Sequence, residues 1–183
     1  MHTLKVRSSR TQESIDLFAY AANNWRCMIL GGPGTGKTTL MKSLVTSIIH
    51  KRSHQTLNDL IPVFVVLRNL AKKQHTVKDA VIAALADHHF PGADDFVESS
   101  LDAGKMIIVL DGLDEVGASR EFVVEQILSF CLHDNQREIK NRVLVTCREH
   151  SYRTMDLHEV IGDILQLEPF ANHHIRVFLE GWP

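Results

Sequence analysis

The sequence predicts an α/β fold in which a parallel β-sheet is covered by helices on both faces. Short apolar runs alternate with segments of helical periodicity along most of the 183 residues. The run 61–67 is apolar on both faces of the strand that it would form, which is typical of a parallel strand buried between helix layers. A glycine-rich turn joins another apolar run, 27–30, to the helix that follows it, as in phosphate-binding α/β folds.

The predicted elements follow one another at regular intervals along the chain. A first helix is expected at about 12–23, with Thr11 as its cap. Strands 1 to 5 are expected at about 26–30, 61–67, 106–110, 142–146 and 164–168. Further helices are expected from the glycine-rich turn to about residue 50 and at about 77–89, 94–103, 120–133 and 172–180.

Composition indicates a single globular domain. Apolar residues make up 44% of the chain, and the net charge of −2 gives no general reason to expect binding to nucleic acid or to a membrane. Cys27, Cys131 and Cys147 are odd in number and widely spaced, so they predict no disulfide framework and favour a cytoplasmic location. The eleven histidines lack the spacing of a zinc site, and we interpret them as surface and loop residues.

The glycine-rich turn fits the phosphate-binding pattern G-x-x-x-x-G-K-[ST]. Glycines let backbone N–H groups approach an anion closely, and the helix that follows points its positive end at the phosphates. Lys37 is expected to bridge the β- and γ-phosphates, and the Thr38 hydroxyl to join an Mg²⁺ shell. The predicted nucleotide-binding residues are Gly31, Gly32, Pro33, Gly34, Thr35, Gly36, Lys37, Thr38 and Thr39.

A second motif, Asp-Gly-Leu-Asp-Glu, begins where the third predicted strand ends. Asp111 stands at the carboxyl end of that strand, where a carboxylate beside the phosphate loop would complete an Mg²⁺ site with Thr38. Asp114 and Glu115 follow within reach of the same edge. One of the two is expected to orient and deprotonate a water for attack on the γ-phosphate, while the other caps a helix or pairs with an arginine.

Polar residues also end the fourth and second predicted strands. Thr146 and Arg148 suit a sensor of the γ-phosphate, and we predict that role for Arg148. The alternative for Arg148 is a salt bridge to Asp111, Asp114 or Glu149. Arg68 follows the second strand. It is expected either to contribute to the ligand site at the same edge of the sheet or to form a salt bridge.

These motifs together resemble the NACHT nucleotide-binding domain, which belongs to the STAND branch of the AAA+-like P-loop ATPases. The resemblance rests on residues 31–39, 61–68, 110–115, 144–149 and 167–170, and covers about 24–180. It implies a P-loop three-layer sandwich with a five-stranded parallel sheet of order 5-1-4-3-2. It also implies a lead-in or linker at 1–11 and a NACHT-like domain at 12–183. The helical and winged-helix domains of the family do not follow, so the chain is expected to be a fragment of a larger protein.

The resemblance implies an ATP-binding switch that hydrolyses ATP slowly, is closed with ADP, and opens and self-associates with ATP. Signalling in antiphage or innate-immune defence is the expected context, with sensor and effector domains outside this chain. Two alternatives stay open from the residues: a nucleotide-stabilised scaffold without turnover, and a small-molecule kinase. The kinase is disfavoured because no arginine-rich lid occurs, and a GTPase because no N-K-x-D motif occurs.

Overall fold

The structure, a computed structural model, describes residues 5–9, 13–87, 90–137, 139–152, 157 and 160–167. The described strands are β1 (Lys5–Ser8), β2 (Ser14–Asp16), β3 (Arg26–Leu30), β4 (Ile61–Val66), β5 (Met106–Asp111), β6 (Arg142–Cys147) and β7 (Asp163–Leu167). The described helices are α1 (Leu17–Asn23), α2 (Lys37–Ile49), α3 (Gln55–Asn58), α4 (Leu67–Lys73), α5 (Val77–Ala86), α6 (Ala93–Asp102), α7 (Arg120–Asp134) and α8 (Glu149–Tyr152). Two 3₁₀ turns, Leu113–Glu115 and Gly117–Ser119, connect β5 to α7.

The described strands form one mixed sheet in the order β2-β1-β7-β3-β6-β5-β4. Its five strands from β7 to β4 are parallel and follow the expected order, since β3 to β7 are the predicted strands 1 to 5. The expectation of a purely parallel sheet of five strands is nevertheless wrong. Two antiparallel strands, β1 and β2, extend the sheet beyond β7.

The added strands are short, which explains why periodicity did not indicate them. In β1, Val6 is buried while Arg7 is exposed, so the strand has too few apolar residues to form a recognisable run. The segment expected to be a lead-in therefore contributes a strand to the sheet. The helix expected from residue 12 begins only at Leu17, because Asp16 caps it by accepting a hydrogen bond from the Phe18 N–H at 3.1 Å.

Several other boundaries differ from expectation. The segment between α2 and β4 contains α3, and α4 directly follows β4, although no helix was predicted at either place. Helix α5 ends at Ala86, three residues before its predicted end. The predicted helix cap Thr11 and the predicted helix at 172–180 lie outside the described residues.

The sheet is buried between two helix layers, as the sequence predicts. Consecutive residues of β5 alternate between the layers, with Ile107 on one side and Ile108 on the other. The first layer is formed by α1, α2 and α3, and its buried residues include Leu17, Met41, Leu44 and Leu57. The second is formed by α4, α5, α6 and α7, and its buried residues include Leu70, Val81, Val97 and Ile127.

All three cysteines are buried and free. Burial raises the pKa of Cys131 to about 11 and that of Cys147 to about 11, so both are protonated near neutral pH. In the described part of the chain, every helix is too short or too polar to traverse a bilayer.

A buried polar network ties the amino-terminal edge of the sheet to α7. The Asp134 carboxylate is fully buried and accepts hydrogen bonds from Arg26 Nη2 at 3.1 Å and Asn141 Nδ2 at 2.7 Å. Asn141 Nδ2 also donates to the Leu101 carbonyl, and Asn141 Oδ1 accepts from the Met106 N–H. The network therefore holds β3, β5, β6, α6 and α7 in fixed positions relative to one another.

We predict that Asp134→Ala lowers the free energy of unfolding by about 3–5 kcal/mol, since it leaves the buried Arg26 charge without its partner. Urea denaturation of the full chain measures this. The matched control is Asp102→Ala, which removes an exposed partner of Arg137 and is expected to cost less than about 1 kcal/mol. Equal losses in the two variants would contradict a special role for the buried pair.

Candidate functional site

Three loops meet at the carboxyl edge of the parallel strands. The glycine-rich loop follows β3, the acidic motif follows β5, and Arg148 follows β6. Strand β6 lies between β3 and β5 and pairs with both, so the three loops are neighbours. This edge is where ligands gather in open α/β sheets.

The glycine-rich loop has the backbone that its glycines permit. Gly34 and Gly36 have φ of 71° and 85°, in the left-handed region that disfavours residues with a Cβ. The Thr35 hydroxyl donates to the Gly32 carbonyl at 2.9 Å and closes the loop on itself. A Cβ on Gly31 would lie 2.7 Å from Thr35 Oγ1, so a larger residue here would displace the Thr35 hydroxyl.

Gly36 caps α2, so the loop leads directly into the positive end of a 13-residue helix. Lys37 is the first residue of that helix, and its Nζ donates to the carbonyls of Gly31 at 2.8 Å and Gly32 at 2.9 Å. Burial lowers the pKa of Lys37, whereas the negative charge of Asp114 acts in the opposite direction. The ammonium is therefore held against the loop on the side of the acidic motif.

Asp111 is held between two hydroxyl groups. Thr38 Oγ1 donates to Asp111 Oδ2 at 2.8 Å, and Thr146 Oγ1 donates to Asp111 Oδ1 at 2.6 Å. The Thr146 hydroxyl also accepts from the Gly112 N–H at 2.9 Å. The structure thus brings Thr38 and Asp111 together, as the sequence predicts. It places Thr146 as a link between β5 and β6, which residue spacing gave no means of finding.

Asp114 and Arg148 form a two-point contact. Arg148 donates to the Asp114 carboxylate through its backbone N–H at 3.0 Å and through Nε at 2.8 Å. The Asp114 side chain is only 6% exposed, whereas that of Arg148 is 49% exposed. This is the ion-pair alternative that the sequence left open, and it engages one edge of the guanidinium only.

The Glu115 side chain is exposed, and its carboxylate makes no hydrogen bond or ion pair with any residue in the described ranges. It lies over the acidic turn, because a Cβ built on Gly112 would be 3.6 Å from the Glu115 carboxylate. Of the two candidate bases, Asp114 is thus engaged and Glu115 is available. This distinction was not accessible from their adjacent positions in the sequence.

The remaining predicted residues are less closely tied to the cluster. Pro33 and Thr39 are exposed at the rim of the loop and at the start of α2. Arg68 is exposed in α4, and within the described part of the chain no ion pair to it is formed. The salt-bridge alternative for Arg68 is therefore not observed, and its side chain stands at the end of β4, away from β3 by two intervening strands.

A family model described as the NACHT domain matches residues 26–182. No curated protein matches the chain. Solved structures with the same fold include the Aeropyrum pernix ORC1 protein in complex with DNA, with a TM-score of 0.55 and 17% identity. They also include C. elegans PCH-2, with a TM-score of 0.53 and 16% identity, and a DNA replication initiation factor, with a TM-score of 0.52 and 13% identity.

These structural matches cover most of this chain but less than half of each matched chain. They cover 90% of this chain and 45% of ORC1, 84% and 38% for PCH-2, and 89% and 46% for the initiation factor. At such low identities the likeness concerns the fold alone. It shows that the sheet and its helix layers share the overall α/β fold of these proteins.

We predict that Thr146→Val lowers the free energy of unfolding by about 1–3 kcal/mol, because it leaves the Gly112 N–H and one Asp111 oxygen without their buried partner. Chemical denaturation provides the measurement. Thr146→Ser is the control, since it retains the hydroxyl and is expected to keep most of the stability. A valine variant as stable as the serine variant would show that the hydroxyl link carries no energy.

Proposed function

The chain belongs to the NACHT family of P-loop NTPase domains, and we propose that it is an ATP-binding domain that hydrolyses ATP slowly and acts as a switch in a STAND signalling protein. The observation that carries this proposal is the meeting of a phosphate loop, the Thr38–Asp111 pair and the unengaged Glu115 at one edge of the sheet. Each group would have one task in phosphoryl transfer to water.

The phosphate groups would be held by the loop and the start of α2. Residues 34–38 form the end of the loop and the start of α2, and the amino-terminal end of a helix attracts anions. The Lys37 ammonium now donates to two loop carbonyls, and phosphate oxygens are stronger acceptors within reach of the same flexible side chain. The nearest predicted contacts to nucleotide are therefore Gly34, Thr35, Gly36, Lys37 and Thr38.

The donor set beside the loop fits Mg²⁺. Thr38 Oγ1 and Asp111 Oδ2 are hard oxygen atoms 2.8 Å apart, and the carboxylate supplies the negative charge that this ion prefers. When bound, Mg²⁺ would neutralise charge on the phosphates. Thr146 would keep Asp111 correctly oriented through its bond to Oδ1.

Glu115 is the proposed general base. As a water attacks the γ-phosphorus, the water loses a proton to the Glu115 carboxylate, the bond to the bridging oxygen breaks, and ADP and phosphate leave. Asp114 is already committed to Arg148, so its proposed role is to position that arginine. The Nη atoms of Arg148 make no bond to a described residue and would contact the γ-phosphate.

The wider role follows the family resemblance. We assign the domain to a cytoplasmic defence or signalling protein that is closed with ADP and self-associates with ATP through this domain. Its sensor and effector domains would lie outside residues 12–183. A nucleotide-held scaffold without turnover is the second candidate, and it is favoured by the engagement of Asp114 in an ion pair. Turnover measurements separate the two.

We predict that Lys37→Ala weakens ATP binding by at least about tenfold, because a charge-assisted contact to phosphate is lost. Calorimetric titration of the full chain with ATP and Mg²⁺ gives the dissociation constant. Lys42→Ala is the control, since Lys42 lies on α2 beside Phe64 and away from the loop. Unchanged affinity in the Lys37 variant would refute the assignment of the phosphate loop.

We predict that Glu115→Gln lowers the rate of ATP hydrolysis by about 100-fold or more while ATP affinity is kept, since the base is lost and the loop is not. Phosphate release under single-turnover conditions is the measurement. Asp114→Asn is the matched variant, and it is expected to weaken ATP binding through the freed Arg148. Loss of turnover only in the Asp114 variant would reverse the two roles, and absence of turnover in the unmodified chain would favour the scaffold.

A further inference from the structure

Strand β4, at one edge of the sheet that the structure describes, carries an apolar groove separate from the nucleotide site. The groove has a volume of about 470 Å³ and is lined by five consecutive residues of β4, 62–66. Its walls come from α2 on one side and from α4 and α5 on the other. Ile49 and Val66, which both line it, are 61% and 36% exposed, so the apolar surface is continuous with the outside.

The backbone of β4 leaves a defined set of hydrogen-bonding groups at this edge. Ile61 donates its N–H to the Lys105 carbonyl beside β5, so Ile61, Val63 and Val65 face β5. Pro62, Phe64 and Val66 alternate with them and face outward. The outward groups are the Pro62 carbonyl, both backbone groups of Phe64 and the Val66 N–H, and none has a partner among the described residues.

This set of groups is complementary to itself. When two β4 strands run antiparallel about a two-fold axis at Phe64, each Phe64 N–H meets the other Phe64 carbonyl. Each Val66 N–H then meets the Pro62 carbonyl of the other copy. Pro62 has no N–H to offer in return, and the Val66 carbonyl that would receive it caps α4 instead. All four donors and acceptors are thereby satisfied.

The charges that line the groove obey the same symmetry. Lys73, at the end of α4, lies before the first turn of α5, and Asp87 follows the last turn of α5, about 15 Å away for ten residues of helix. Antiparallel pairing places the cationic end of one groove beside the anionic end of the other. A second copy is thus complementary in backbone groups, in apolar surface and in charge.

We propose that β4 mediates two-fold association of this chain, joining two sheets edge to edge into one continuous sheet. The pairing uses the lateral edge of the sheet, whereas the nucleotide site lies at the carboxyl ends of β3, β5 and β6. It therefore does not depend on the proposed ATPase function. Lys37→Ala, which tests nucleotide binding, is expected to leave it intact, so the two proposals fail separately.

The test is sedimentation equilibrium of the full chain over a wide range of concentrations without nucleotide. We predict a monomer–dimer equilibrium that Val66→Pro weakens at least about tenfold, because two symmetry-related N–H donors are removed. Val66 has φ of −85°, which proline can adopt, and its N–H donates to no residue in the described ranges. Val66→Ala keeps the donor and is expected to retain most of the association.

Charge reversal provides a second test, which does not alter β4. Lys73→Glu and Asp87→Lys are each expected to weaken the dimer, and the double variant to restore it. These residues border the groove at exposed positions, so the charge-reversal test remains informative if the proline variant does not fold. A monomer at every concentration, equal losses in the proline and alanine variants, or no rescue in the double variant would each overturn the proposal.

Discussion

The candidate site depends on one carboxylate held between two hydroxyls. Asp111 accepts hydrogen bonds from Thr38 on α2 and from Thr146 on β6, so three separate segments of the chain are fastened at one point. Asp111 is almost fully buried, and in a region of low dielectric such bonds are strong and their loss is costly. The phosphate loop and the acidic motif therefore keep a fixed separation.

A second contact, between Asp114 and Arg148, holds the part of the acidic motif that follows Asp111. The acidic motif turns sharply at Gly112, whose φ of 85° sends the chain back over the strand ends. Asp114 then binds the backbone and side chain of Arg148 at the end of β6. The carboxylates of Asp111 and Asp114 thus stabilise the site, whereas the third carboxylate of the motif, that of Glu115, faces solvent.

Much of this arrangement was predictable from the sequence. The glycine spacing and the aspartate that ends an apolar run fixed the phosphate loop and Asp111, because local sequence dictates both. The division of roles between Asp114 and Glu115 was not predictable, since it depends on the contact with Arg148, 34 residues further along the chain. The strands β1 and β2 were missed for a similar reason. The few residues of β1 become a strand only by pairing with β7, which lies more than 150 positions away in sequence, and β2 in turn pairs with β1.

The antiparallel strands at the β7 edge affect where this domain can be divided from neighbouring sequence. The family match begins at residue 26, yet the sheet begins at Lys5. A shorter form starting at residue 26 would remove Val6 and Leu17, both fully buried, from the layer that contains α2. It would also leave the backbone N–H and C=O groups of β7 that face β1 without partners. Strand β7 would then be an edge strand that can pair with other chains. The sheet of this chain thus extends beyond the family match on its amino-terminal side.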